Sequence, residues 1–332
     1  MDTQFLSTEA KKLLALPKGI LAIDESMPTC NKRFEKLGIP TTEENRRKYR
    51  ELLITTPGIE ECISGMILFD ETIRQSTAGG VKFSEVFKQK GMSIGIKVDK
   101  GTFSLALHPG ETITEGLDGL RERFTEYKAM GASFAKWRAF PVIDKALGLP
   151  SDCCLEVNAH AMGRYAALAQ EAGIVPIVEP EVNMEGTHTI EECYAVNQRA
   201  LQFLFTELKK QRAYIPGVIL KTGMIITGTK CEVQATKEQV AEMTIKCLKE
   251  NVPADIGGIV FLSGGQSEMQ ACENLRTMHQ MGDLPWALSF SYGRAIQSPA
   301  LKAWAANMED VAGAQALLLE NARNNSNAVL GK

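Results

Sequence analysis
The chain has 332 residues, 44% of them hydrophobic and 23% charged, with a formal net charge of −3. That is the composition of a globular protein with a large core. It excludes a global basic field for nucleic acid or an anionic membrane, and no apolar run nears the roughly 20 residues that span a bilayer.

Apolar, β-branched runs recur along the chain with helical stretches between them. The first predicted strand is 19–25 (GILAIDE). Thr41-Thr42-Glu43-Glu44 fits a capping box that opens a helix through Leu53. Strands follow at 62–70 (CISGMILFD) and 93–99 (SIGIKVD). A helix over 111–130 is expected to stop at Gly131, ahead of a strand at 134–140 (FAKWRAF). Another over 153–172 stops at Gly173, and the adjacent Cys153 and Cys154 fall at its start. Strand 174–181 (IVPIVEPE) precedes a helix over 191–211 with Cys193, Val196, Ala200, Leu204 and Leu208 on one face. The remaining strands are 217–224 (GVILKTGM), 257–264 (GGIVFLSG) and 286–293 (WALSFSYG), with an amphipathic helix at 237–250.

Eight strands alternating with helices at a spacing of roughly 40 residues predict a (β/α)8 TIM barrel with additional N- and C-terminal helices. No Pro/Gly/Ser linker divides the chain, so residues 1–332 read as one domain. Barrel strands occupy 19–293, and a C-terminal helix and short tail occupy 299–332. An open doubly wound sheet is the weaker reading, because no GxGxxG follows the first strand.

The N-terminus lacks the apolar h-region of a secretory leader, which points to the cytoplasm. Eight cysteines without CxxC spacing predict buried free thiols. Four isolated histidines, without HxxxH or HxH spacing, argue against a histidine-built metal site.

Charges sit inside these apolar runs, always near the C-terminal end. An unpaired buried charge costs several kcal/mol, so such runs normally exclude ions. Lys97 and Asp99, Lys136 and Arg138, and Glu179 and Glu181 are each two residues apart, so each pair shares a strand face. Lys221 ends another run. In a barrel these ends gather at one mouth, where such folds place active sites. Asp24, Asp70, Lys97, Lys136, Arg138, Glu179, Glu181, Lys221, Ser263 and Arg294 would ring it.

A lysine in such a ring, with its pKa depressed by apolar walls or other cations, becomes a nucleophile toward carbonyls. The resulting iminium nitrogen withdraws electrons much as a metal ion would. Lys221 has no charge within four residues on either side, and Lys136 lies near Arg138. Asp99 favours the charged form of Lys97. Residue chemistry ranks Lys221 and Lys136 above Lys97 and does not separate the first two. Ser263, Gly264 and Gly265 in LSGGQSE, and Gly293 and Arg294 in SYGR, offer close backbone donors and a cation to an anion such as phosphate. A second anion site is read at Asp24-Glu25-Ser26 and Thr29 through Lys32-Arg33.

From about Lys18 to Lys302 the sequence resembles the class I, metal-independent fructose-1,6-bisphosphate aldolases. The resemblance rests on GILAIDES, TTEENRRKYRELL, GIKVDKG, GLDGLRER, FAKWR, GIVPIVEPE, the lysine of ILK, FLSGGQSE, WALSFSYGRA and LKAW. It implies a Schiff-base lysine at Lys221, a base for the C4 hydroxyl at Asp24, and a general acid/base at Glu179. Glu181 would tune the lysine, and Lys136 and Arg138 would orient substrate. Ser263, Gly264, Gly293 and Arg294 would take the C1-phosphate, and Ser26, Thr29 and Lys97 the C6-phosphate. It also implies no cofactor, a sugar-phosphate substrate and a homotetramer. The same chemistry on sedoheptulose 1,7-bisphosphate or fructose 1-phosphate is the alternative, and a surface-binding scaffold role a remote one.

Three departures from the family pattern stand out. The chain ends SNAVLGK with no tyrosine after Tyr292, which predicts slow enamine protonation or another donor for it. Thr222-Gly223 replaces Pro-Asn, which predicts a looser segment after Lys221. Met27-Pro28-Thr29 removes one amide donor near the C6-phosphate.

Overall fold
The computed structural model describes residues 2–282 and 284–332. All eight predicted strands are present: β1 (Gly19–Ile23), β2 (Ile63–Leu68), β3 (Ser93–Lys97), β4 (Ala132–Ala139), β5 (Val175–Pro180), β6 (Ile219–Thr222), β7 (Gly258–Phe261) and β8 (Leu288–Tyr292). They pair in sequence order, every neighbour parallel, and β8 closes onto β1 with Ile20 opposite Ser291. The result is a closed (β/α)8 TIM barrel.

Twelve helices accompany the strands among the described residues. They are α1 (Thr3–Leu13), α2 (Met27–Glu35), α3 (Glu43–Thr55), α4 (Asp70–Ile73), α5 (Phe83–Gln89) and α6 (Leu120–Ala129), then α7 (Asp152–Glu171), α8 (Ile190–Lys210), α9 (Lys237–Asn251), α10 (Glu268–Gln280), α11 (Arg294–Ala306) and α12 (Val311–Val329). Gly131 and Gly173, at φ +97° and +68°, follow α6 and α7 as expected. Cys153 and Cys154 lie in the first turn of α7.

Strand parity divides the core into two. Ile20, Ala22, Ile67, Phe134, Val175, Ile177, Ile219 and Val260 point inward, and Leu6, Ala10, Leu13 and Leu14 of α1 close the lower end against them. The opposite parity packs outward against the helices. Gly95 on β3 makes room for Phe134, since a Cβ there would clash with the edge of the Phe134 ring.

Four details depart from the sequence reading. The helix expected over 111–130 shrinks to α6. β-branched Thr112–Thr114 pairs with Thr102–Ser104 as an antiparallel hairpin, and Gly116, at φ +127°, separates it from α6. The capping box at residues 41–44 is not formed. Thr42 is the N-cap and accepts from Asn45 N at 3.2 Å, and Asn45 stands where a box needs Glu or Gln. The C-terminal segment is two helices, broken where Asp310 caps α12 by accepting from Gly313 N. Pro299 inside α11 removes a donor to Ala295 O, and Asn321 Nδ2 supplies one at 3.3 Å. All eight cysteines are free, but Cys153 is exposed and Cys231 only half-buried. Among the described residues no helix is long and apolar enough to cross a membrane.

Gly95→Ala is expected to destabilise the barrel by about 1–3 kcal/mol by overpacking against Phe134. Urea denaturation of the two proteins checks this.

Candidate active site
The inward parity that carries the apolar interior continues upward into charged residues. Lys97 follows Gly95 on β3, Lys136 and Arg138 follow Phe134 on β4, Glu179 follows Ile177 on β5, and Lys221 follows Ile219 on β6. Pairing register levels them: Lys97 stands opposite Lys136 and Arg138 opposite Glu179. The top layer of the barrel interior is therefore ionic.

All the candidate site residues named from the sequence except Asp70 and Gly265 line one cavity of about 520 Å³ at this mouth. Of the strand-end ring, only Asp70 lies elsewhere. It opens the short helix α4 and turns outward to Arg74 at 2.8 Å, and it accepts from the Tyr127 hydroxyl. The cavity walls present eight lysine or arginine side chains and five carboxylates. A chain of net charge −3 thus has a locally positive cleft, suited to a polyanionic ligand.

At the centre, Lys136 Nζ lies 2.9 Å from Asp24 Oδ2 and 3.2 Å from Glu179 Oε2. Lys221 Nζ lies 3.0 Å from Glu179 Oε1. Glu179 thus bridges two lysines, and both are 4% exposed. Arg138 holds Glu181 at 2.9 Å. Burial pushes the Asp24 and Glu179 carboxyls up, but Lys136 and Lys221 outweigh it and hold both below the usual carboxylate range. Burial wins at Glu181, which is raised, with Glu179 adding to the shift and Arg138 opposing it. Burial likewise lowers Lys136, yet Asp24 and Glu179 overcome it and leave this amine more firmly cationic than a free lysine. Lys136 thus stands between two carboxylates, and Lys221 beside one of them. At Lys97 burial outweighs the attraction of Asp99, 2.5 Å away, and the amine is shifted down, against the expectation that Asp99 would decide it.

The anion-binding candidates lie on the rim. Gly264 leaves little room for a side chain, since a Cβ there would meet Glu181 Oε1 at 3.1 Å and Leu262 at 3.0 Å. Gly293 caps α11, and Arg294, exposed, begins it. On the adjacent loop after β1, Ser26 caps α2 without using its hydroxyl, which instead meets the Thr29 hydroxyl at 3.1 Å. Pro28 occupies the second position of α2, so one of the first-turn amides facing the cavity is absent. Lys32 is exposed, whereas Arg33 is tied to Glu25. Glu25 is shared with buried Arg50 at 2.9 Å, so the trio keeps one unit of positive charge.

The segment after Lys221 is not loose. Residues 223–228 are buried, Ile225 N donates to Thr244 Oγ1 at 2.8 Å, and Gly228 N and Thr229 N donate to the carbonyls of His188 and Met184. Packing against Met184 replaces the stiffness that Gly223 gives up.

Sequence reading missed Ser291, which lines the cavity from β8 with a buried hydroxyl that lacks a partner among the described residues. Counting two residues back from Gly293 along the strand would have found it. It also missed Arg50, whose approach to Glu25 is a long-range contact. Among the described residues, no group of three or more His, Cys, Asp or Glu side chains is placed to hold a metal.

The family description "Glycolytic: Fructose-bisphosphate aldolase class-I" matches residues 5–332. The chain belongs to the class I fructose-bisphosphate aldolase family. A relative from Xanthomonas campestris pv. campestris, named a probable fructose-bisphosphate aldolase class 1, is 55% identical and is covered over 99% of its length by the whole of this chain. The Dictyostelium discoideum fructose-bisphosphate aldolase is 46% identical, with 100% of this chain and 94% of the relative covered. A solved structure of the Plasmodium falciparum aldolase, in complex with TRAP and a small-molecule inhibitor, superposes with a TM-score of 0.97 at 43% identity, covering 99% of this chain and 95% of that one. The protein is accordingly a carbon–carbon lyase. It cleaves fructose 1,6-bisphosphate reversibly to dihydroxyacetone phosphate and glyceraldehyde 3-phosphate.

Lys136→Met would leave Asp24 and Glu179 without their shared cation. Both carboxyls would rise, so the acid limb of the kcat/KM profile should move to higher pH. Cleavage of fructose 1,6-bisphosphate should fall by at least about 100-fold. A pH–rate series on the variant and the parent measures both.

Proposed function
We propose that catalysis runs through a Schiff base on Lys221. The observation that carries this is the contrast between two buried lysines beside Glu179: among the described residues Lys136 is committed to two carboxylates, and Lys221 makes a single ion pair. In its free-base form Lys221 attacks the C2 ketone. Glu179, 3.0 Å away, handles the proton and water transfers of carbinolamine dehydration. Asp24, held ionised, takes the C4 hydroxyl proton. The C3–C4 bond then breaks, its electron pair moves toward the iminium nitrogen, and glyceraldehyde 3-phosphate leaves. Protonation of the enamine and hydrolysis release dihydroxyacetone phosphate. Glu181, pushed up by burial beside Glu179, is suited to carry a proton in these later steps.

The rim residues position the two phosphates. Ser263, Gly264, Gly293 and Arg294 would take the C1-phosphate, and Ser26, Thr29, Lys32, Arg33 and Lys97 the C6-phosphate. Their place on one cavity supports this, and holding both ends orients the scissile bond. Sedoheptulose 1,7-bisphosphate and fructose 1-phosphate are the competing substrates, and relative kcat/KM separates the three. A cytoplasmic homotetramer is proposed on family resemblance alone. One related sequence, from Chlamydomonas reinhardtii, is named chloroplastic.

Borohydride reduction in the presence of dihydroxyacetone phosphate is expected to inactivate the enzyme and place a three-carbon adduct on Lys221, found by peptide mass spectrometry. Lys221→Met should give no adduct and lose cleavage by at least about 1,000-fold. An adduct on Lys136, or activity abolished by EDTA, would refute the assignment.

A further inference from the structure
The opposite end of the barrel holds a buried charge that the reaction does not use. Glu9, on the α1 plug, is 8% exposed. Its Oε1 accepts from Ser93 Oγ at 2.6 Å and from Ser133 Oγ at 2.7 Å, at the lower ends of β3 and β4. The other buried carboxylates, Asp99, Glu111, Glu179 and Glu207, each have a lysine or histidine nitrogen within 3.4 Å. Among the described residues Glu9 has no cation within 4.0 Å. Lys128 is the nearby amine that feels its charge, but its Nζ donates to Gly173 O at 2.6 Å and sits 4.5 Å over the Phe5 ring.

Two neutral hydroxyls compensate a buried carboxylate less well than a cation does. Glu9 also lines a groove of about 870 Å³ with apolar wall residues Phe5, Met92 and Met130. Lys12, one turn along α1, and Lys88 of α5 stand at its rim, exposed and without an ion pair among the described residues. The groove shares no lining residue with the catalytic cavity.

We propose that this groove is a second small-molecule site, for a small zwitterion. The ammonium end supplies the cation that Glu9 lacks, donating to Glu9 and to the lone pairs of the two serine hydroxyls. The anionic end meets Lys12 and Lys88. A simple cation is disfavoured by the lysine rim, and a simple anion by the carboxylate floor. Such a ligand ties the α1 plug to α5 and to the start of β4, so its binding stabilises the lower barrel.

The probes are glycine, β-alanine and phosphoethanolamine, with ethylamine and inorganic phosphate as one-ended controls. Calorimetry and thermal melting of the full chain are the readouts. At least one zwitterion is expected to bind saturably and raise the melting temperature, with both controls weaker by roughly tenfold or more. Glu9→Gln should weaken that binding by roughly tenfold and leave kcat/KM for fructose 1,6-bisphosphate unchanged. Should Glu9→Gln unseat α1, Lys88→Ala, on an exposed helix surface, supplies the second arm and should weaken binding several-fold. The proposal is overturned if none of the three zwitterions binds, if the substitution that folds leaves binding intact, or if fructose 1,6-bisphosphate displaces the probe.

Discussion
Everything at the catalytic mouth depends on the ammonium of Lys136 standing between Asp24 and Glu179. Two carboxylates and two lysines could not share so dry a space without close mutual neutralisation. The bridge fixes Asp24, which follows β1, against β4 and β5, and it leaves one oxygen of Glu179 for Lys221. The same contact sets protonation. It holds the two acids ionised, and Glu181, outside the bridge and held by Arg138, takes the opposite shift. Two acidic behaviours thus arise from residues two positions apart on one chain segment.

Much of this was readable before any coordinates. The strands announced themselves as apolar runs, and their charged ends broke the rule that such runs exclude ions. Alternation then places Lys136 with Arg138, and Glu179 with Glu181, on the inward face. What stayed hidden depends on partners far along the chain. Arg50 reaches Glu25 across 25 positions, and Gln297 accepts from the Tyr49 hydroxyl across 248. The hairpin at 102–114 was misread because Glu111 to Met130 carries enough helix formers to mask a short β-branched stretch. Asp70 looked like a member of the ring because its strand ends as the others do. The chain turns into α4 at that residue and carries the carboxylate outward.

Charge distribution explains how an acidic protein presents a cationic cleft. The surplus of lysine and arginine lies at the rim, in Arg294, Lys32 and the Glu25 trio, while the deeper residues pair closely. Attraction toward a doubly phosphorylated sugar therefore acts at the entrance. The interior stays balanced until substrate arrives, which limits the electrostatic cost of an empty barrel.

The α1 helix gives this barrel the topology of a flask. With Leu6, Leu13 and Leu14 stoppering the base, reactant enters and both three-carbon fragments depart through the same neck. No fragment can leave by a back door past Phe134, Ile177 and Ile219, and a high concentration of the free aldehyde outside will re-enter along the route it took out. Reversibility is to that extent a property of the vessel as well as of the chemistry inside it.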